Sequence, residues 1–377
     1  MKKFFLNILM KNPSCESFFR IFKFCVTSRI LQKLHGEPRY GAIFIILTVY
    51  SIFFCYCVIK NFIEILSDKD IETLQIIFTI LMFLGYGQLL LKNFAGAPFY
   101  REFQSLVDFI ETLHSTKEDN IVVQEIVSEE IAKAMKYSLL FFKLYNNLGT
   151  FSVIAFIGTI TWKDYTIISI PVLHSTEYRF IYHSIQNMTL VIAALWNGLS
   201  DTAIVIIGLY IVHFLKVINK MIKSLDNVDK VKQCPDLLIH ILKKHLKIIK
   251  ILRTFNESVK FMSFVQLFMS TILFLTMIAT MQLYKTDVSI ECIFATLITQ
   301  LTFLCLFGEQ IRSETVAVFN NLYLTNWYKM SLSHQKFLLI MMINARKEIG
   351  LKAAGMGSFS VFAHTLALNN SYSSYTP

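Results

Sequence analysis

QLTFLCLFGEQIRSETVAVFNNLYLTNWYKMSLSHQKFLLIMMINARKEIGLKAAGMGSFSVFAHTLALNNSYSSYT, residues 300–376, decides how the rest of the chain is read. It falls into three parts. An apolar run ends at Phe307-Gly308. A long amphipathic piece, about 316–345, sets Phe319, Leu322, Tyr323, Trp327, Tyr328, Leu338, Met342 and Ile343 against Lys329 and Lys336. The last part, about Gly357–Tyr372, has no charge and closes on Ser371-Tyr372-Ser373. As a helix it carries Ser358, Ser360, His364, Thr365, Asn369 and Asn370, more small polar groups than a helix lipid-facing all round accepts. It fits a bundle interior or the wall of a water-filled path.

The composition agrees with a membrane protein. The chain has 377 residues, 54% hydrophobic, only 16% charged and with 34 Phe; its mean hydropathy is +0.52. A soluble chain of this size is about one quarter charged, so the surplus apolar surface calls for lipid. Seven scattered cysteines give neither a disulfide framework nor metal-ligand spacing and read as small buried hydrophobes. No phosphate-binding loop, dinucleotide motif, HExxH or GxSxG is present. The reading is a non-enzyme, without cofactor or metal. The net charge of +10 points to a membrane surface and not to nucleic acid, because of where the charge sits.

Residues 1–40 form a basic arm expected to lie on the cytoplasmic face. Hydropathy then predicts seven spans: Gly41–Ile59, about Ile71–Leu91, Tyr137–Thr161, Asn187–Phe214, Phe261–Leu283, Ile290–Phe307 and Gly357–Tyr372. Residues 92–136 read as amphipathic helices of mixed charge on the cytoplasmic side, and 162–186 as an outer link. The stretch after Phe214 is rich in Lys yet keeps apolar residues at helical spacing, so spans four and five are expected to extend beneath the bilayer. Lys and Arg crowd the N-terminus and the second, fourth and sixth links; none follows Lys352. The positive-inside rule places the N-terminus in the cytoplasm and the C-terminus outside, the reverse of a G-protein-coupled receptor. The fold class is therefore all-α, a polytopic membrane protein of seven transmembrane helices. Its parts are the arm 1–40, a ligand-binding part 41–214, and a part 215–377 for subunit contact and the pore.

Polar groups inside spans are functional candidates, with interhelical hydrogen bonding as the plain alternative. They are Asn146, Asn147, Asn197, Asp201, Gln266 and Gln300. Asp201 stands apart, since an unpaired carboxylate in lipid costs roughly 3 kcal/mol or more; it requires a partner or water. The amphipathic stretch 316–345 either lies on the bilayer or packs against neighbouring subunits, and the second reading is favoured.

Read without gaps, the C-terminal stretch resembles the signature of insect odorant receptors. The matching positions are Gln300-Leu301, Phe307-Gly308, Val316-Ala317, Tyr323, Trp327-Tyr328, Met341, Ala345, Leu351, Ala353, Ser371-Tyr372-Ser373 and Thr376; Asp201 also sits where that family commonly keeps an Asp. The resemblance implies a seven-helix, odorant-gated, non-selective cation channel that forms a heterotetramer with the olfactory co-receptor. It implies an odorant pocket in the outer halves of the spans, with Ala155, Gly158 and Trp162 at pocket-facing spacing. Phe78, Met188, Trp196, Met281 and Tyr284 join them on depth alone. It implies pore lining by span seven, here His364, Asn369 and Ser373, and subunit contact through the cytoplasmic region of Tyr323, Trp327 and Tyr328. The partners expected are thus a co-receptor, a small hydrophobic odorant and the lipid bilayer, in the plasma membrane of an olfactory neuron. Two departures stand out: Ser374 replaces a usual aromatic, and the sequence stops at Pro377 where relatives continue through residues that narrow the pore. The implied gate is truncated, divergent or supplied by the partner. A gustatory receptor of the same superfamily is the alternative, then a secondary transporter, for which no inverted repeat is found.

Overall fold

A computed structural model describes residues 22, 38–67, 72–118, 120–170, 178–227, 236–283, 288–346, 349–353 and 356–358. The elements in order are α1 (Pro38–Ser67), α2 (Thr73–Gly96), α3 (Tyr100–Ser115), α4 (Ile121–Lys163), α5 (Arg179–Ser224), α6 (Leu237–Leu283), α7 (Val288–Leu324) and α8 (Leu332–Ala345). A short hairpin of β1 (Lys352–Ala353) and β2 (Met356–Ser358) follows. Among the described residues, α2, α4, α5, α6 and α7 are each long and apolar enough to cross a bilayer. With α1 they account for the first six expected spans.

The expected extensions are present. Helices α5 and α6 hold 46 and 47 residues, about 70 Å each at 1.5 Å per residue. That is more than twice the roughly 30 Å of hydrocarbon they must cross. The remainder, with α3, the first turns of α4 and the end of α7, forms a second helical layer below the membrane. Asn120 starts α4 by accepting from the backbone N–H groups of Val122 (2.9 Å) and Val123 (3.4 Å). In the lower layer Glu130 of α4 meets Lys220 (2.7 Å) and His213 (2.8 Å) of α5.

Helix α5 is the axis of the molecule. Between Asp201 and Ile222 nearly every residue is buried, as its all-round apolar sequence IVIIGLYIVHFL requires. Helices α4 and α7 flank it, α6 closes the bundle, α2 packs on α6, and α1 packs on α2. Gly208 allows the closest approach. A Cβ there would stand 2.7 Å from the Phe307 ring of α7, so only glycine fits.

One helix start differs from the sequence reading, and two further stretches gain detail. Helix α5 begins at Arg179, eight residues before the expected Asn187, because Tyr182 and Gln186 hydrogen-bond to the loop below them and hold those turns in the bundle. The stretch 316–345 is not continuous. It breaks at Thr325-Asn326, where Asp226 accepts from the Asn326 backbone N–H (2.9 Å). Gly357 and Ser358 are extended in β2, and the rest of the expected span seven lies outside the described residues.

Candidate functional site

The bundle holds a cavity of about 500 Å³ between α2, α4, α5, α6 and α7, inside the range of about 300–1,000 Å³ usual for small-molecule sites. Its upper wall is apolar: Leu81 and Met82 of α2, Phe156 and Ile157 of α4, Leu190 of α5, Leu273 of α6, and Ile293 and Leu297 of α7. Its lower wall is polar, with Gln88, Tyr145, Asn146, Asn197 and Gln300.

Beneath that wall lies a buried ion pair. Lys92 Nζ stands 2.8 Å from Asp201 Oδ1 and donates to Asn197 Oδ1 at 2.9 Å. The lysine side chain is 2% exposed and the aspartate 11%. Gln300 donates through Nε2 to the other carboxylate oxygen, and Tyr145 is a further hydrogen-bond partner of Asp201. Beside this chain Gln88 donates to Gln266 Oε1 (2.8 Å), and Gln266 donates to Ser270 Oγ (3.0 Å). Five helices thus pool polar groups that none could bury alone.

The sequence required a partner for Asp201 but did not supply its name. Lys92 read as the first residue of a cytoplasmic link. The structure buries it because α2 runs on to Gly96 and turns Lys92 toward α5. A separation of 109 residues leaves no local pattern to find. Gln88 lies inside the expected second span and was missed although the rule that singled out Gln266 applies to it equally. Asn146, Asn197 and Gln300 line the cavity, while Asn147 is exposed.

On the outer side the loop 165–170 plugs the bundle. Asp164 ends α4 in the left-handed region at φ 57° and turns the chain inward. Ile167 donates its backbone N–H to Gln186 Oε1 (2.9 Å), and Ser169 donates its own to the Cys57 carbonyl (3.1 Å). Asn61 and Gln75 both donate to the Thr166 carbonyl. The ring of Tyr165 packs edge-on to Phe78 at 6.0 Å, and Phe78 in turn to Phe156 at 5.0 Å. The cavity reaches the protein surface instead between α4 and α5, at Ile154 (63% exposed) and Leu195 (50%).

Of the eight residues named from sequence for ligand contact, the seven that the structure describes do not line this cavity. Phe78 stands behind its wall. Trp196 packs on Leu89 and on the cavity-lining Ala193. Met281 lies against the outer apolar cluster, and Ala155 is half-buried on α4. Gly158, Met188 and Trp162 face outward, Trp162 with 91% of its surface exposed. Tyr284, and the pore candidates His364, Asn369 and Ser373, lie outside the described residues. On α4 the cavity lining runs from Tyr145 to Ile157, so Gly158 and Trp162 lie beyond it and Ala155 lies level with it but turned away. Tyr323, Trp327 and Tyr328 are all exposed, at 62%, 43% and 62%, beside Leu324 and Leu332.

A family profile described as 7tm Odorant receptor matches residues 72–372. Among solved structures the chain resembles the insect olfactory receptor OR5 from Machilis hrabei in complex with eugenol. The TM-score is 0.76 at 10% identity, over 95% of this chain and 96% of that one. A second structure of the insect olfactory receptor OR5 from Machilis hrabei gives 0.76 at 11% identity, over 94% of this chain and 95% of that one. Comparison with curated protein sequences gave no match.

Proposed function

The chain belongs to the 7tm odorant receptor family, and from that premise we propose that it binds volatile hydrophobic odorants in the cavity at the centre of its bundle and gates a non-selective cation path. The observation that carries this reading is the cavity itself: about 500 Å³, apolar above, polar below, walled by five helices and open to the surface between α4 and α5. Ligand bound there touches α5 and α7 together, so it can bias their packing where Gly208 meets Phe307. Shape and burial supply most of the affinity.

The working unit is a heteromer with the olfactory co-receptor in the plasma membrane. Support comes from the exposed aromatic group Tyr323, Trp327 and Tyr328 below the membrane, more apolar surface than a lone subunit leaves in water. In this reading 215–377 is the contact and pore part, and His364, Asn369 and Ser373 line the path. Ala155, Gly158, Trp162 and Met188 stand toward the cavity's outer approaches, with Phe78, Trp196 and Met281 shaping the wall from behind.

The test is voltage clamp in oocytes expressing the chain with and without an insect olfactory co-receptor, across a mixed odorant panel. An inward current that needs both chains supports the proposal. A complex delivered to the cell surface yet silent to the whole panel counts against it.

A further inference from the structure

The polarity of three cavity amides is fixed by their neighbours. Asn197 makes its hydrogen bond to Lys92 Nζ (2.9 Å). An ammonium only donates, so the oxygen of Asn197 must face it and the NH2 group is left over. Gln300 makes its hydrogen bond to the Asp201 carboxylate. A carboxylate only accepts, so the NH2 of Gln300 must face it and the oxygen is left over. Asn146 repeats the second case, its Nδ2 donating to the Phe142 carbonyl (2.7 Å) and its oxygen left over. All three residues line the cavity. Gln88 is different: it pairs with the amide of Gln266 and the hydroxyl of Ser270, and both partners can donate or accept, so its polarity is not dictated.

The ion pair therefore writes a pattern onto the cavity floor, with one donor at Asn197 and acceptors at Gln300 and Asn146. We propose that the cavity selects molecules bearing a hydroxyl on a compact apolar skeleton, the hydroxyl accepting from Asn197 Nδ2 and donating to Gln300 Oε1. A hydroxyl is the small group that carries both halves of this pattern. An ether or carbonyl of the same size accepts from Asn197 but leaves the Gln300 oxygen unserved. A hydrocarbon serves neither and strips both of water. The apolar upper wall receives the skeleton, as in the general case of a site that uses few polar groups for orientation and apolar surface for affinity. Lys92 and Asp201 are positioning residues: they touch no ligand and set which end of each amide does.

This inference rests on the cavity being the odorant site. The test measures binding of 1-octanol, its isomer 1-methoxyheptane, and octane to the purified full-length chain in nanodiscs, followed by the fluorescence of Trp196 beside cavity-lining Ala193. The alcohol is expected to bind at least tenfold more tightly than the ether, and the ether more tightly than octane. Asn197→Asp keeps an oxygen for Lys92 and removes the donor; it is expected to abolish the preference for alcohol over ether. Ile293→Val on the apolar wall shifts all three affinities together and keeps their ratio. Were Asn197 merely structural, Asn197→Asp would weaken all three alike. Equal affinities in the native chain, or uptake of octane but not of the alcohol, overturn the hydroxyl assignment and leave the cavity reading standing. Failure to take up any of the three, or any odorant of a mixed panel, overturns the cavity reading and this inference with it.

Discussion

Breaking the buried pair Lys92–Asp201 tests the core of the site. At 2.8 Å and an effective dielectric of about 20, the attraction is roughly 6 kcal/mol, and the cost of dehydrating two ions cancels much of it. What remains visible is the penalty of leaving one charge behind. Lys92→Met strands Asp201 among Gln300 and Tyr145, which still donate to it. Asp201→Asn strands Lys92 against Asn197 Oδ1. Each single change is expected to cost about 3–5 kcal/mol, at the low end because neutral partners survive. The double change removes both ions and is expected to return to within about 1 kcal/mol of the native chain. The assay is the melting temperature in detergent, read by size-exclusion chromatography after heating, with surface expression as a second readout. The reasoning is refuted if either single variant melts with the native chain, or if the double variant is no more stable than the worse single.

Three further outcomes follow from the same geometry. Gly149 lines the cavity and a Cβ there meets nothing within 4 Å, so Gly149→Leu should fold normally, fill the cavity, and raise the half-maximal concentration for the bulkiest active odorants at least tenfold in voltage clamp. Gly208→Ala should destabilise by about 1–3 kcal/mol through its clash with Phe307, and Phe307→Leu in the same chain should recover most of it, measured by thermal melting. Below the membrane, burial of His245 pushes its pKa down to about 4. The folded chain therefore refuses a proton that the unfolded chain accepts below about 6.5. Stability should fall as pH drops from about 6.5 toward 4, by up to roughly 3 kcal/mol, and His245→Leu should flatten that part of the curve of melting temperature against pH.

Much of the fold is legible in the sequence because lipid imposes a simple rule. A run of apolar residues long enough to cross hydrocarbon has few other fates, so the first six spans fall close to where hydropathy puts them. Amphipathic spacing among lysines after Phe214 gives the long extensions of α5 and α6 equally well. Helix ends are less legible. Arg179 to Gln186 looks like a link because Arg179 and His183 break the hydropathy, and only the contact of Tyr182 and Gln186 with the loop 165–170 shows why the helix persists.

The site divides in the same way. Asn146, Asn197, Asp201, Gln266 and Gln300 announce themselves, because a polar group inside a span is costly and needs a reason. Their convergence does not, since it depends on how four helices rotate against one another. Lys92 illustrates the limit. Next to a charged link its charge looks ordinary, and only the burial of α2 against the rest of the bundle turns it toward Asp201. Ala155, Gly158 and Trp162 show the opposite failure. Their spacing is recognisable, yet it settles neither face nor depth: Ala155 lies level with the cavity but turned from it, between the lining residues Ile154 and Phe156, while Gly158 and Trp162 lie beyond the lining stretch from Tyr145 to Ile157.

Electron cryomicroscopy of the heteromer with an activating odorant bound tests the central claim most directly. The account predicts ligand density between α2, α4, α5, α6 and α7, resting on Asn197 and Gln300 with its skeleton against Leu273 and Ile293. Density at the outer surface beside Trp162 and Met188, with the central cavity unchanged from the ligand-free complex, would contradict it.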